Sequence, residues 1–305
     1  MIKSVTITNY LGESVKIVLS EGNPEHGMII KKIDGLGPAK ANINTTDLAT
    51  SDGALFNSAR LDKRNITMQI LLTNAPDIET SRQRTYKYFP IKRPLEFLIE
   101  LDNRIAKTTG YVESNEPDIF SKEEEMSISL ICDYPYFYSA GENGTNTTVF
   151  YGVEPLFEFI FSNESLEEDL IEFGAIENET EKTVWYDGDA EIGVVITIHA
   201  VGEVRNITIY NTGTRERMDI NTDKIEQLTG KGIVAGDTII ITTIRGSKSI
   251  YLLRAGYYTN ILNCISRESD WFQLAKGDNI FAYVCEYGSE NLEFKIENQV
   301  IYEGV

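Results

Sequence analysis

Along most of this chain apolar and polar residues alternate with a period of two, the pattern of strands with one buried face. Val5 and Ile7 fall on one side of the first such stretch and Thr6 and Thr8 on the other. Leu11-Gly12-Glu13 supplies a turn, and Val15, Ile17 and Leu19 alternate after it, so residues 1–20 predict a hairpin. Ile66, Met68, Ile70 and Leu72 predict an inward-facing row over 64–72. The densest stretch is Arg82–Tyr138. Thr80 or Ser81 is expected to cap a short helix whose apolar side is Tyr86, Tyr88 and Phe89, and Pro90 ends it. Leu95, Phe97, Ile99 and Leu101 then alternate with Glu96, Leu98 and Glu100. Gly110-Tyr111-Val112 opens the next strand, and Met126, Ile128, Leu130 and Cys132 mark a third. The run closes on Tyr134, Tyr136, Phe137 and Tyr138 around Pro135.

Residues 33–57 break the rhythm. They are turn-rich, and the stretch ANINTTDLAT alternates only weakly. A long irregular segment inside a compact domain is usually functional or covers a partner. Two readings fit it: an arm reaching to a neighbouring subunit, or a surface excursion. The polar stretch 139–150 reads as a domain boundary, dividing the chain into 1–138 and 139–305. Beyond it the chain is nearly all β, with strands expected at 156–161, 193–201, 204–210, 215–221, 238–244, 249–253, 279–287 and 292–297. Turn signals between them argue a β-sandwich or jelly roll.

Charge adds an asymmetry. The 305 residues carry a formal net charge of −19. Residues 1–138 hold 16 Lys and Arg against 19 Asp and Glu, and residues 139–305 hold 12 against 28. Glu154–Glu191 alone has 13 acids and the single cation Lys182. Such a chain is a poor wrapper of nucleic acid, which is held by cations that displace counterions. The acidic stretch is expected on an outer surface, as a solvated face or aimed at a basic partner or cation. Cys132, Cys264 and Cys285 include no C-x-x-C pair and lie in strand-like apolar surroundings, so reduced thiols are expected. His26 and His199 leave little room for metal or acid–base clusters, and His199 is expected to pack in a strand. No apolar run is long enough for a membrane span, and the first fifteen residues lack a signal-peptide core.

Candidate chemistry is sparse. No nucleophile elbow, HExxH helix or phosphate-binding loop is present, and no catalytic, cofactor-binding or metal-ligating residue is assigned. Asp187-Gly188-Asp189-Ala190-Glu191 spaces carboxylates as calcium loops do, but without the closing glutamate, and reads as a turn. Trp185 and Trp271 could stack on sugar rings, which keeps open a carbohydrate-binding module for host-surface recognition as an alternative.

The ordered motifs carry a resemblance. Ile33-Asp34-Gly35-Leu36-Gly37-Pro38, Asp52-Gly53-Ala54, Phe56-Asn57-Ser58 and Arg64-Asn65-Ile66 are followed by a helix with Arg82 and Tyr86 and the Pro94-Leu95 strand. Then come Gly110-Tyr111-Val112-Glu113-Ser114, Phe120-Ser121-Lys122 and the Cys132–Tyr138 close. This order resembles the N-terminal domain of the distal tail protein (Dit) family of long-tailed phages and prophage-derived particles. Val204–Ile209 before Asn211-Thr212-Gly213-Thr214, Gly236-Asp237-Thr238, Gly246–Ile250 and Trp271–Leu274 before Gly277-Asp278-Asn279 are similar to the family's C-terminal domain. The resemblance implies a mostly β chain: an N-terminal β-sandwich with one short helix and an extended arm, then a peripheral galectin-like β-sandwich. It implies a structural protein and not an enzyme, forming a homo-hexameric ring at the distal end of the tail, assembled in the bacterial host cytoplasm and residing in the virion. Expected partners are the tail tube protein, the tail-tip or baseplate hub protein and receptor-binding or fibre proteins. DNA would pass through the ring without specific binding, so Lys31, Lys32 or Lys63 lining the pore would contradict the reading. Residues 1–138 are expected to make the ring and 139–305 to decorate it.

Overall fold

The computed structural model describes residues 1–48, 52–141, 144–154 and 175–305, with side chains left out of account over 151–154 and 175–178. The chain forms two compact units: Met1–Gly144 with Ile301–Val305, and Thr145–Val300. The last five residues therefore return to the first unit, a long-range connection that no local sequence pattern reports.

In the first unit, strands β1 (Ile2–Asn9), β2 (Ser14–Val18), β3 (Met28–Asp34), β4 (Ala41–Asp47), β5 (Ala54–Leu61) and β6 (Arg64–Leu72) precede helix α1 (Ile78–Tyr88). Strands β7 (Pro94–Leu101), β8 (Ile105–Asp118), β9 (Glu125–Cys132) and β10 (Phe137–Ala140) follow it. One antiparallel sheet runs β2-β1-β7-β8-β9-β6-β3, and β10 pairs with β8 and with the C-terminal strand Ile301–Tyr302. The sheet curls, so its inner rows close on a core of Val5, Ile7, Ile66, Met68, Ile70, Phe97, Ile99, Met126, Ile128 and Leu130, all 0–1% exposed. Each such side chain contributes about 1.5–3 kcal/mol relative to leaving it in water. These are the rows that the alternation marked, because one face of each strand is dry and the other wet.

Two local expectations shift. The helix begins earlier than Thr80: Asp77 is its N-cap, accepting from Thr80 N at 2.7 Å and Thr80 Oγ1 at 2.9 Å. Ser81 instead turns inward and donates to Thr73 O at 2.7 Å. The helix packs through Ser81, Thr85 and Tyr88, while Tyr86 remains 43% exposed. Asn115 of β8 ties its C-terminal end down by donating to the carbonyls of Thr85 and Phe89. Strand β8 also starts before Gly110, at Ile105, because Arg104 closes a tight turn back to Leu101.

In the second unit two antiparallel sheets supply the core. Thr145–Val149, Leu292–Gln299, Val195–Ala200, Thr238–Thr242, Ser249–Arg254 and Tyr257–Asn260 lie side by side in one sheet. Glu181–Tyr186, Gly277–Tyr287, Arg205–Asn211 and Glu216–Ile220 form the other. Tyr283 of the second sheet stacks on Phe294 of the first, ring centroids 5.0 Å apart, and Phe150 packs edge-on against Phe294 at 4.8 Å. That contact between buried rows is the signature of a sandwich. The strands expected at 193–201 through 292–297 are present with shifted ends; the one at 156–161 lies outside the described residues. A second helix, α2 (Thr222–Thr229), interrupts the β reading. Asn221 caps it by accepting from Lys224 N at 2.9 Å, and Gly230 ends it at φ 79°.

Cys132 and Cys264 are buried and Cys285 half-buried, all as free thiols. His199 sits in its strand with Nδ1 2.9 Å from Thr238 Oγ1. Burial pushes the Cys285 thiol up to about 11. Cys285 should therefore react with an alkylating reagent far more slowly at pH 7 than an unfolded cysteine, and faster as pH rises toward 11. A folded-state rate at pH 7 equal to the urea-unfolded rate would contradict this.

Candidate assembly interface

The described part of the stretch 33–57 contains two paired strands after the irregular residues 35–40. Strands β4 and β5 pair with each other as a separate two-stranded ribbon, Ala41 opposite Leu61 and Asp47 opposite Ala54, with a register shift between Asn44 and Thr45. Almost every residue of the ribbon is exposed, including Ile43, Leu55 and Phe56 at 58–62%. This explains the weak alternation: with both faces in water, neither face needs to be apolar. Asn44 donates to Ser58 Oγ at 3.1 Å and Asn57 to Thr46 Oγ1 at 2.7 Å, so polar cross-strand pairs hold the register. A two-stranded ribbon alone is marginal in water. Carrying three exposed large apolar side chains, it is suited to lying on another surface.

The root of the ribbon is rigid, and Arg64 makes it so. The side chain is buried, and its guanidinium makes five hydrogen bonds to four main-chain carbonyls: Pro135 at 2.8 and 2.6 Å, Gly35 at 2.7 Å, Gly37 at 2.5 Å and Glu303 at 2.5 Å. Its Cζ lies 4.3 Å from the centroid of the Phe137 ring. Burial lowers the guanidinium's proton affinity, yet an arginine stays charged, and the carbonyl dipoles disperse that charge. One side chain thus joins the ribbon's root, the aromatic close and the C-terminal segment. Gly35 has φ 87°, and a Cβ there would meet Asn65 O at 2.0 Å, so only glycine fits. Leu36 is buried and its carbonyl accepts from Val305 N at 3.0 Å. Arg104 lies over the Tyr302 ring at 4.5 Å and donates to Gly304 O. The ring of Tyr134 stacks on Tyr138 at 5.2 Å beside this knot.

Other sequence-flagged residues fall elsewhere. Lys31 is paired with Glu125 at 2.5 Å and Glu123 at 3.2 Å, which raise its proton affinity, and Lys32 with Asp34 at 2.7 Å. Lys63 is exposed beside the ribbon's end. Asp189 pairs with Lys276 and Glu191 with Arg245, and no group of carboxylates suited to a metal occurs among the described residues. Much of Glu154–Glu191 lies outside the described residues; within it Glu179, Glu181, Asp187, Asp189 and Glu191 are exposed. Trp185 is 61% exposed, whereas Trp271 is half-buried with Lys248 Nζ 5.1 Å from its ring. An open cleft of about 470 Å³ in the second unit is lined by residues of 206–208, 219–221, Lys224, Ser266 and Arg267, and neither tryptophan lines it. Sequence reasoning missed Arg64 as the root of the arm. Its partners lie up to 239 positions away, and the only local hint was an arginine opening an otherwise apolar strand.

Arg64→Met should destabilise the first unit by about 3 kcal/mol, because it strands buried carbonyls without a donor. Arg64→Lys should recover little of that, since an ammonium cannot reproduce the planar fork. Chemical denaturation measures both, and a lysine variant as stable as the parent would contradict the account.

No protein-family model matches the chain, and no curated protein sequence matches it. Solved structures do. The fold matches that of the Dit protein of phage SPP1, described as a paradigm of the hub adsorption apparatus in phages infecting Gram-positive bacteria. The match has a TM-score of 0.64 at 10% identity and covers 97% of this chain and 98% of that one. A chain of the phage P2 baseplate in its activated conformation with calcium aligns over 98% of this chain and 99% of its own, at 10% identity and a TM-score of 0.45. The chain has the fold of a phage distal tail protein, as the ordered motifs implied.

Proposed function

We propose that this chain, built on the distal tail protein fold, is a structural component of a phage tail that works by assembly and not by turnover. In this reading copies close into a ring, hexameric by the family resemblance, at the distal end of the tail. The ring joins the tail tube to the baseplate or tail-tip proteins and offers docking places for receptor-binding or fibre proteins. It is assembled in the host cytoplasm and ends in the virion. The observation that carries the reading is the rooted, largely exposed ribbon β4–β5. A closed ring needs one surface to meet a different surface on the next copy, and an arm with its docking place supplies such a pair. The near-neutral charge of the first 138 residues lets their copies approach, and the acidic remainder favours the periphery. DNA would traverse the ring unheld. Lys31 and Lys32 are paired with carboxylates, which makes them poorer holders of phosphates.

Replacing residues 43–59 by a two-residue turn leaves the Arg64 knot intact and removes the arm. The full-length variant should remain folded and lose its multimers in light scattering at moderate salt. A multimer of unchanged mass would overturn the ring-by-arm reading.

A further inference from the structure

A second exposed feature of the first unit uses neither strand of the arm. The β8–β9 hairpin ends in a tip where Phe120 is 96% exposed and Ile119 45%. The tip is fixed in place: Phe120 N donates to Asp118 Oδ1 at 3.4 Å, and Ser121 Oγ bridges the carbonyls of Asp118 and Glu123. Just behind it Lys31 holds Glu123 and Glu125, and Arg82 holds Glu124 at 3.2 Å. A turn whose backbone is held by these bonds presents the phenylalanine at a set position, which lowers the ordering cost of filling a pocket. Glu116 and Asp118 lie before it and Lys122 after it, and none of the three forms an ion pair among the described residues; the two acids on the β8 side would be met by an apolar surface carrying cations.

The same unit has such a surface. At the turn between β1 and β2, Tyr10 and Leu11 are 49% and 65% exposed. Beside them Ile91 and Tyr111 are 46% and 49% exposed, brought together by the bridge between Ile91 and Val112. Arg93 lies over the Tyr10 ring at 5.1 Å, and Lys92 follows Ile91 with φ 64°. Neither cation forms an ion pair among the described residues. In its own copy the tip is set apart from this surface: Tyr111 and Asp118 are seven residues apart on one strand, about 23 Å at the extended rise, with one register shift between Val112 and Ser114.

We propose that Phe120 at the β8–β9 tip of one copy inserts into the surface formed by Tyr10, Leu11, Ile91, Lys92, Arg93 and Tyr111 of a second copy. Asp118 then faces Lys92 and Arg93. Knob and surface are different parts of the molecule, so the contact is head-to-tail and can close a ring. It is separate from the arm, and its failure leaves the arm reading standing.

The test uses the full chain in a Cys285→Ser background. Leu11→Cys combined with Phe120→Cys should give disulfide-linked multimers on mild oxidation, and neither single substitution should. Phe120→Asp and Arg93→Glu should each raise the concentration at which multimers half-dissociate by about 10- to 100-fold, the hot-spot range. Asp118→Arg added to Arg93→Glu should restore part of the loss. Phe120 has no packing to lose in the single copy, and Phe120→Ser checks the aspartate variant. Absence of cross-links in the double-cysteine chain would overturn the proposal. So would single Phe120→Cys chains cross-linking as well as the double, or an unchanged midpoint with Phe120→Asp. If removing the arm abolishes multimers while Phe120→Asp does not, the knob serves another partner and only the arm reading survives.

Discussion

Arg64 is the constraint on which the first unit depends. A guanidinium taken out of water must find donors' worth of acceptors in a fixed plane, and here it finds the carbonyls of Gly35, Gly37, Pro135 and Glu303. Those carbonyls belong to three chain segments far apart in sequence, so the arginine acts as a cross-link that requires all three to be in place. The requirement explains several otherwise unconnected features. Gly35 must be glycine because Asn65 O is in the way of any side chain. Phe137, buried in the core, offers its ring to the guanidinium, whose Cζ is 4.3 Å from the centroid. The last residues of the chain must leave the second unit and come back. The ribbon β4–β5 leaves from this fixed point, so its direction is set although both its faces are in solvent.

The second unit is held together differently. Its described core is two apolar inner faces meeting through Phe150, Tyr283 and Phe294. Arg254, bonded to Asp237 and to the carbonyl of Gly232, fastens the segment after α2 to that sandwich. Among the described residues its inner faces close a core of their own. The division of labour proposed for the two units follows from that contrast: one unit projects a ribbon that cannot stabilise itself, and the other closes its own core.

The sequence made legible those elements whose two faces see different solvents. Val5 and Ile7, the row from Ile66 to Leu72 and the row from Met126 to Cys132 alternate because one side of each strand is dry. The ribbon was recognised only as a break in rhythm, since strands wet on both faces leave no alternation to read. Helix α2 gives too short an apolar period to read, eight residues, although Asn221 and Gly230 are the right residues at its two ends. The pattern points to Thr80 or Ser81 as the cap of α1, whereas the acceptor is Asp77, three residues before Thr80, which supplies the donors. The Arg64 knot and the returning C-terminus were illegible for a different reason: they are contacts between distant segments, and a single sequence records no distance. The ordered motifs did point to the fold, and two of their residues, Gly35 and Arg64, meet in the knot.

The central claim is that the ribbon 41–61 gains its order by lying on another copy of the chain. Amide hydrogen exchange measured at two protein concentrations, one above and one below the point at which multimers dissociate, tests it most directly. The account predicts that amides of β4 and β5 facing away from their mutual ladder exchange slowly in the multimer and rapidly after dilution, while those of β6 next to Arg64 stay protected throughout. Equal exchange of the ribbon amides at both concentrations would contradict it.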